Sequence, residues 1–261
     1  MVCAAVTIAA CGGGSDDAGS ADTSAAPTDN GPKANMQPLE AACLATPAAG
    51  QQIAATVNVG PITEVVTLTA KNIGATAFDG GSLDTIEVKI NGSLMSTRSK
   101  DFRVHLSPVF PSGVTEYGHP GPAGTTYTKY RRFSYSDVTS GASGAPNLVG
   151  MLPNETRTVT MREFQESALS TNPQPAFSTT PNRTVQLTIQ YLGREDVSAM
   201  GKAYPNACKV KVRYERANSL FPTLESTVWL APGAGPVKLT GAPLLGVETI
   251  SAETSGVAAS N

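Results

Sequence analysis

An alternation of apolar and polar residues runs through the chain from about Leu39 onward. In Thr184–Tyr191 and in Cys208–Arg213, every second residue is apolar or a cysteine, and the residues between are polar or charged. Because successive side chains of a β-strand point to opposite faces, this pattern predicts strands with one buried face. Weaker versions predict further strands at Thr56–Val59, Glu64–Ala70, Thr85–Ile90, Phe102–Leu106, Thr125–Tyr135, Thr156–Met161, Thr227–Leu230 and Val237–Leu239.

Turn-forming residues separate these strands, and long stretches with a 3.6-residue period are scarce. The segment Met161–Leu169 is the best candidate for a short helix, and 136–146 is predicted to be a loop. We therefore predict an all-β, mainly antiparallel fold, either a curved, incompletely closed barrel or a sandwich, with at most one or two short helices. The predicted turns are Asp79-Gly80-Gly81, Asn91-Gly92, Gly118 to Pro122 and Ala231-Pro232-Gly233.

The composition argues against a nucleic-acid-binding protein and against a protein with transmembrane helices. The chain has 261 residues, of which 15% are charged, and a formal net charge of −2. This balance gives no general attraction to nucleic acid, so we expect no nucleic-acid partner. No run of about 18 apolar residues occurs, so no transmembrane helix is predicted.

The N-terminus is a short apolar segment that ends in Ile8-Ala9-Ala10-Cys11. This ending resembles the lipobox of bacterial lipoproteins. The resemblance implies that a signal peptidase cleaves before Cys11 and that the thiol of Cys11 carries a diacylglyceryl group. Two or three acyl chains would give a durable membrane anchor. A Lys or Arg normally precedes the apolar part of an export signal, so we expect the true start to lie upstream of Met1.

The segment after Cys11 is rich in Gly, Ser, Ala, Asp and Thr and holds almost nothing that can be buried. We interpret residues 1–10 as the remnant of a signal peptide and 11–37 as the lipidated cysteine with a disordered tether. Residues 38–250 are interpreted as a single β-rich domain, and 251–261 as a flexible tail. Gly12 after the lipidated cysteine, by the same resemblance, favours the outer membrane, with the domain facing the periplasm or the cell surface.

Two cysteines remain in the body of the chain, Cys43 and Cys208. In an oxidising compartment two remaining cysteines usually pair, so we predict a disulfide between them. The alternative is two buried free thiols.

Three short motifs stand in the late part of the chain. They are G-R-E-D-V at 193–197, N-A-C-K-V at 206–210 and W-L-A-P-G-A-G-P-V-K at 229–238. Together they resemble a group of uncharacterised periplasmic β-proteins and lipoproteins. The resemblance implies a curved half-barrel like that of periplasmic lipoprotein carriers, in which an antiparallel sheet surrounds a hydrophobic cavity for acyl chains. It implies a shape rather than an activity.

The inventory of reactive side chains is small. The only histidines are His105 and His119, and no zinc-binding spacing or Gly-x-Ser-x-Gly motif occurs, so no metal, cofactor or serine hydrolase site is predicted. Acidic residues could supply a carboxylate pair for glycoside hydrolysis, but their separation cannot be read from the sequence. We expect that the protein is not an enzyme. The acidic candidates are Glu116, Glu163, Glu166 and Glu195.

One run mixes cations with aromatic residues and is the candidate ligand surface. In a strand, Tyr127, Lys129, Arg131, Phe133 and Tyr135 would share a face that could bind sugars, lipid headgroups or anionic glycans. The alternative is an aromatic strand face with long cationic side chains lying along it. The single tryptophan, Trp229, is predicted to be a core anchor beside a turn, or the wall of a ligand groove.

The sequence thus favours a non-enzymatic, membrane-anchored cell-envelope lipoprotein whose β-rich domain binds a lipid, a glycan or an envelope protein. A first alternative is a carrier or sensor that holds a lipid or other amphiphile in a half-barrel cavity. A second alternative is a hydrolase of envelope polymers. The oligomeric state stays open.

Overall fold

The computed structural model describes residues 37–44, 50, 52–59, 64–91, 101–106, 110–199, 201–216, 224–244 and 248–258. These residues form twelve strands and two 3₁₀ turns, Ala41–Leu44 and Pro122–Gly124. Within this part of the chain no helix is long and apolar enough to cross a membrane. The strands are β1 (Gln52–Val59), β2 (Glu64–Phe78), β3 (Gly81–Asn91), β4 (Asp101–Leu106), β5 (Pro111–Pro120), β6 (Thr126–Asp137), β7 (Thr156–Leu169), β8 (Arg183–Ala199), β9 (Lys202–Arg216), β10 (Leu224–Ala231), β11 (Gly235–Leu244) and β12 (Glu248–Ala258).

Each strand pairs antiparallel with the next one along the chain. The ten strands from β2 to β11 therefore make one curved sheet that is open by itself. Strand β1 pairs with both β2 and β12, so these two strands bridge the gap and complete a closed barrel. The all-β, antiparallel prediction is confirmed. The strands form a barrel and not a sandwich. The gap between β2 and β11, which the prediction of an incompletely closed barrel left open, is spanned by β1 and β12.

The inner face of the sheet holds the main hydrophobic core. The alternating apolar residues of β8 and β9 lie there, including Ile189, Tyr191 and Val210, none of which is exposed. The N-terminal segment contributes Leu39 and Leu44, and the β6–β7 connection adds Leu148 and Met151 at the same end of the barrel. Period-2 patterning in the sequence thus identified the core face of the sheet.

The predicted disulfide is present. Cys43 of the first 3₁₀ turn is bonded to Cys208 on the inner face of β9, with the two Cα atoms 6.1 Å apart. The sequence separation is 165 residues. The bond therefore pins the start of the described chain to a central strand, as expected from the position of Cys208 on the apolar face.

Two predicted elements are wrong. Met161–Leu169 is not a helix but the second half of β7, because β6 pairs with it along its whole length and β8 pairs with it as far as Glu163. Residues 251–258, expected to be a flexible tail, belong to β12 and pair with β1 and β11. Small residues carry little hydrophobic pattern, so the pairing of this segment depends on backbone edges that the sequence does not reveal.

The β2–β3 connection is the predicted tight turn. Asp79 and Gly80 have φ values of 49° and 76°, as a two-residue type I′ turn requires at both central positions. The turn predicted at Asn91-Gly92 lies partly outside the described residues, since only Asn91 is described.

Candidate functional site

The candidate ligand surface on β6 lies on the inner face of the barrel. Its residues share one face as predicted, but that face is the one that carries Val114 and Met161 on the neighbouring strands. Phe133 and Tyr135 pack against the main core, and the Tyr135 hydroxyl donates to the Pro111 carbonyl over 2.8 Å. The aromatic part of this run therefore stabilises the core. The full run is Tyr127, Lys129, Arg131, Phe133 and Tyr135.

The charged part of the same face forms an ion-pair network. Arg131 pairs with Glu116 and lies 4.0 Å from Glu163, and Arg183 lies 3.6 Å from Glu163. The Nε2 atom of His119 is 3.1 Å from a carboxylate oxygen of Glu116. Two of the four acids considered for glycoside hydrolysis are thus held by arginines. Such pairing favours a structural role, because a general acid needs a carboxyl group that can be protonated.

Trp229 lies elsewhere, on the outer face of β10. Its Nε1 atom donates to Glu195 over 2.5 Å, and the ammonium group of Lys209 lies 5.1 Å from the centre of its ring. Only 8% of the tryptophan is exposed. It packs in a small cluster with Tyr204, Ala207, Ala231 and other apolar residues, which we call the outer cluster. The predicted role as an anchor beside the β10–β11 turn agrees with these contacts.

A cleft of about 810 Å³ lies on the outer face of β3 to β6. Its floor consists of side chains from β4, β5 and β6. Its walls are the β2–β3 hairpin on one side and residues 173–176 of the β7–β8 connection on the other. We call it the outer cleft, and its floor residues are Arg103, His105, Thr115, Tyr117 and Tyr130.

Polar and aromatic contacts hold the two walls together. The backbone N–H of Asp79 donates to the side-chain oxygen of Gln174 over 3.3 Å. Arg132 pairs with the Asp79 carboxylate over 3.3 Å, and its guanidinium group lies 5.2 Å from the ring centre of Phe177. The Phe177 ring is 5.9 Å from that of Phe78. The hairpin and the β7–β8 connection thus form a joint roof at one end of the cleft.

A glycine in β5, beside the floor of the cleft, makes room for this roof. A Cβ atom at Gly113 would overlap with the ring of Phe78 and with the carbonyl oxygen of Arg131. Glycine is therefore required for the close approach of the hairpin to the sheet. Gly113 within a strand, together with Asp79-Gly80, is the signal by which the sequence could have pointed to the cleft.

His105 is buried at the deep end of the outer cleft. Its Nε2 is 2.9 Å from the Thr115 hydroxyl, its Nδ1 is 3.1 Å from the Thr85 hydroxyl, and Phe78 stacks on its ring at 4.2 Å. Burial, with a smaller contribution from the charge of Arg103, lowers the pKa of His105 from 6.5 to about 4. The ring is therefore neutral at pH 7. Its partners are hydroxyl groups, so the arrangement has no carboxylate to orient a catalytic base.

The open end of the cleft presents two tyrosines and an arginine. The Arg103 guanidinium lies 5.4 Å from the ring centre of Tyr117 and 3.6 Å from the Glu87 carboxylate. Burial raises the pKa of Tyr117, against the opposing charge of Arg103, so its phenol stays protonated. Tyr130 lies beside Thr115 in the strand register. None of these floor residues was chosen from the sequence, because alternate residues of a strand face opposite ways and the sequence does not say which polar face will be covered.

No group of three or more metal-ligating side chains stands together in the part of the chain that the structure describes. The outer cleft therefore offers hydrogen-bonding and aromatic groups without an evident metal site. The lipidation site predicted at Cys11 lies outside the described residues.

Comparison with known proteins gives a weak likeness in shape. No protein-family model matches the chain, and no curated protein matches it. A solved structure of a presumed exported protein with a YmcC-like fold from Bacteroides fragilis is 12% identical, with a TM-score of 0.39, over 87% of this chain and 100% of its own. A presumed lipoprotein from Parabacteroides distasonis is 8% identical, with a TM-score of 0.39, over 81% of this chain and 96% of its own.

Proposed function

We propose that the chain is a non-enzymatic cell-envelope lipoprotein, anchored through Cys11, whose β-barrel domain binds a ligand in the outer cleft. The observation that carries the binding role is the cleft itself, a concave site of about 810 Å³ whose walls come from two separate connections. Ligand sites are typically concave, with apolar and aromatic walls and a few placed polar groups. The outer cleft has this composition.

The disulfide supports an extracytoplasmic location. Cys43 and Cys208 lie far apart in the sequence but are bonded across the domain. Such bonds persist in oxidising compartments and are rare in the reducing cytosol. A location outside the cytoplasm agrees with the lipobox at Ile8-Ala9-Ala10-Cys11. The outer membrane, facing the periplasm or the cell surface, is the proposed site of anchoring.

We propose that the protein has no catalytic role, because the candidate acid and base groups are already held by other contacts. Glu116 and Glu163 are paired with arginines, and His105 is bonded to threonine hydroxyls. Glu166 accepts from the backbone of Ser178 on the opposite face. These groups thus serve the fold through contacts that a general acid or base would have to give up.

The alternative of an amphiphile carrier depends on the barrel interior. Described core residues such as Phe110, Leu148, Met151 and Tyr191 belong to one cluster at one end of the barrel. A lipid chain entering at that end would have to displace them, which would cost packing energy. The outer cleft needs no such rearrangement, and we favour it as the ligand site.

The anchor is tested in the cells that make the protein. We expect mass spectrometry of the N-terminal peptide to find a diacylglyceryl group on Cys11, and the Cys11→Ser variant to leave the membrane fraction. Cys3→Ser is the matched control and should remain bound. An unmodified Cys11 in membrane-bound protein would contradict the proposal.

The ligand site is tested by native mass spectrometry of the full chain with Cys11→Ser. A copurified ligand that is lost in Tyr130→Leu, but kept in Tyr127→Leu on the opposite face of β6, would support the outer cleft. A copurified lipid that is unaffected by Tyr130→Leu would instead support the carrier alternative.

A further inference from the structure

The outer cleft contains charged groups but no charge without a partner of opposite sign among its described residues. Arg103 is 3.6 Å from Glu87, and Arg132 is 3.3 Å from Asp79. Glu87 also pairs with Lys89 at 3.4 Å, but of these residues only Arg103 and Asp79 line the cleft, one cation and one anion. A site that selects an anion normally presents uncompensated arginine or lysine side chains, because binding must repay the desolvation of the ligand charge. The balance in this cleft therefore favours an uncharged ligand.

The remaining polar groups of the cleft donate and accept hydrogen bonds. The floor offers the hydroxyls of Tyr117 and Tyr130, and the wall offers the amide of Gln174. Hydroxyl groups can both donate and accept, and an amide carries two donors and an acceptor. Within the described part of the chain, no hydrogen bond uses the Tyr130 hydroxyl. Such groups suit a ligand that is itself covered with hydroxyls.

Aromatic and proline side chains supply the apolar surface. Tyr130 is partly exposed on the floor, and Phe78, Pro173 and Pro175 line the walls. The Phe78 ring is stacked on His105 and the Tyr117 ring is next to Arg103, so Tyr130 is the aromatic ring without a described stacking partner. The C–H groups of a ligand ring can pack on such an aromatic face.

From this combination we infer that the outer cleft binds a neutral glycan, with one sugar ring stacked on Tyr130 and sugar hydroxyls bonded to Tyr117 and Gln174. A sugar ring has apolar C–H faces and a polar edge, which matches the aromatic floor and the polar groups around it. The inference rests on the proposed function, because it names the ligand class of the same cleft. An open cleft of about 810 Å³ permits a segment of a polymer rather than a single buried sugar.

The test uses the oxidised full chain with Cys11→Ser and four free oligosaccharides as probes. Cellotetraose, maltotetraose and chitotetraose are neutral, and tetragalacturonate is the acidic comparison. Saturation-transfer NMR detects which probe binds, and titration gives its Kd. We expect at least one neutral probe to receive saturation at its ring protons and its Kd to change less than about twofold between low and high salt.

Three variants assign the binding to Tyr130. Tyr130→Leu removes the aromatic face and should weaken binding about tenfold, whereas Tyr130→Phe removes only the hydroxyl and should weaken it by no more than about threefold. Tyr127→Leu, on the inner face of the same strand, should leave the Kd unchanged. A Kd that is equal in the wild type and in Tyr130→Leu would overturn the inference.

Other outcomes separate this inference from the proposed function. If tetragalacturonate binds in preference to every neutral probe, and high salt abolishes its binding, the cleft is an anion site and the neutral-glycan inference is wrong. If no oligosaccharide binds while Cys11 is lipidated in cells, the inference fails and the envelope anchoring stands. If a neutral probe binds but Cys11 is unmodified, the inference holds and the anchoring fails.

Discussion

The outer face of the sheet has two aromatic regions that contain similar residue types. One is closely packed, and the other lines an open cleft. In the outer cluster on β8 to β11, Trp229 packs with Tyr204 and small apolar residues and lies beside Lys209. In the outer cleft on β3 to β6, tyrosines lie beside Arg103 but remain partly exposed around an open space. Both regions combine a cation with an aromatic ring, so residue type alone does not distinguish a packed anchor from a site.

The difference comes from what fills the space beside the ring. Around Trp229, alanines from three strands and the β10–β11 turn close in, because small side chains allow neighbouring segments to approach. Around Tyr130, the β2–β3 hairpin covers only the end above Gly113, and the rest of the cleft stays open. The candidate site is therefore identified by how neighbouring segments cover the aromatic rings, and not by the aromatic pattern of a strand.

The largest expected effect concerns the disulfide that braces the half of the barrel with the outer cluster. Replacing both Cys43 and Cys208 by alanine should lower the free energy of unfolding by up to about 5 kcal/mol, because the bond closes a very long loop in the unfolded chain. Urea denaturation of the oxidised wild type and the double variant measures this loss. A loss below about 1 kcal/mol would mean that the disulfide contributes little to the stability of the folded domain.

The second expected effect contrasts the two aromatic regions directly. Trp229→Ala should cost about 3–5 kcal/mol of stability, since it empties a packed site. Tyr130→Ala should cost less than about 1 kcal/mol, because part of the ring already faces solvent. Thermal and urea unfolding of the two variants side by side measures the difference. Equal losses would break the distinction between a packed cluster and an open cleft.

The third expected effect is a pH dependence at the deep end of the cleft. The folded pKa of His105, about 4, lies below its unfolded value of 6.5. The unfolded chain therefore takes up a proton first as the pH falls, so stability is present above pH 6.5 and is lost between 6.5 and about 4. The loss from this group should reach about 3 kcal/mol.

The control for this titration is His105→Gln, which removes the titrating ring and keeps hydrogen-bonding groups. Urea unfolding at several pH values should give a shallower decline in the variant than in the wild type. Identical declines in both proteins would show that other groups, such as carboxylates, account for the acid sensitivity.

The smallest expected effect concerns the roof of the cleft. Gly113→Ala places a methyl group against Phe78 and the Arg131 carbonyl and should cost about 1–3 kcal/mol. Gly81→Ala is the matched control, because its added Cβ would meet only the Phe78 carbonyl oxygen at an ordinary 3.7 Å. Unfolding measurements compare the two, and a neutral Gly113→Ala would mean that the hairpin does not need its close approach to the sheet.

The sequence by itself determined the class of the fold and the faces of its clearest strands. Alternation in Thr184–Tyr191 and Cys208–Arg213 identified core residues correctly, since a half-buried strand must place its apolar side chains at every second position. The same reasoning led to the Cys43–Cys208 bond. It failed at Met161–Leu169 and at residues 251–258, where pairing with neighbouring strands decides the structure.

Only the tertiary structure decided which face of β6 points inward and where a cleft would form. Alternation places Tyr127 and Arg131 on one face and Tyr130 on the other, but both faces carry aromatic and cationic residues. Which face is covered depends on strands and connections far away in the chain, such as the hairpin at Asp79 and the segment near Pro173. A local pattern can specify the period of a strand, whereas the surroundings of each face are set by long-range contacts.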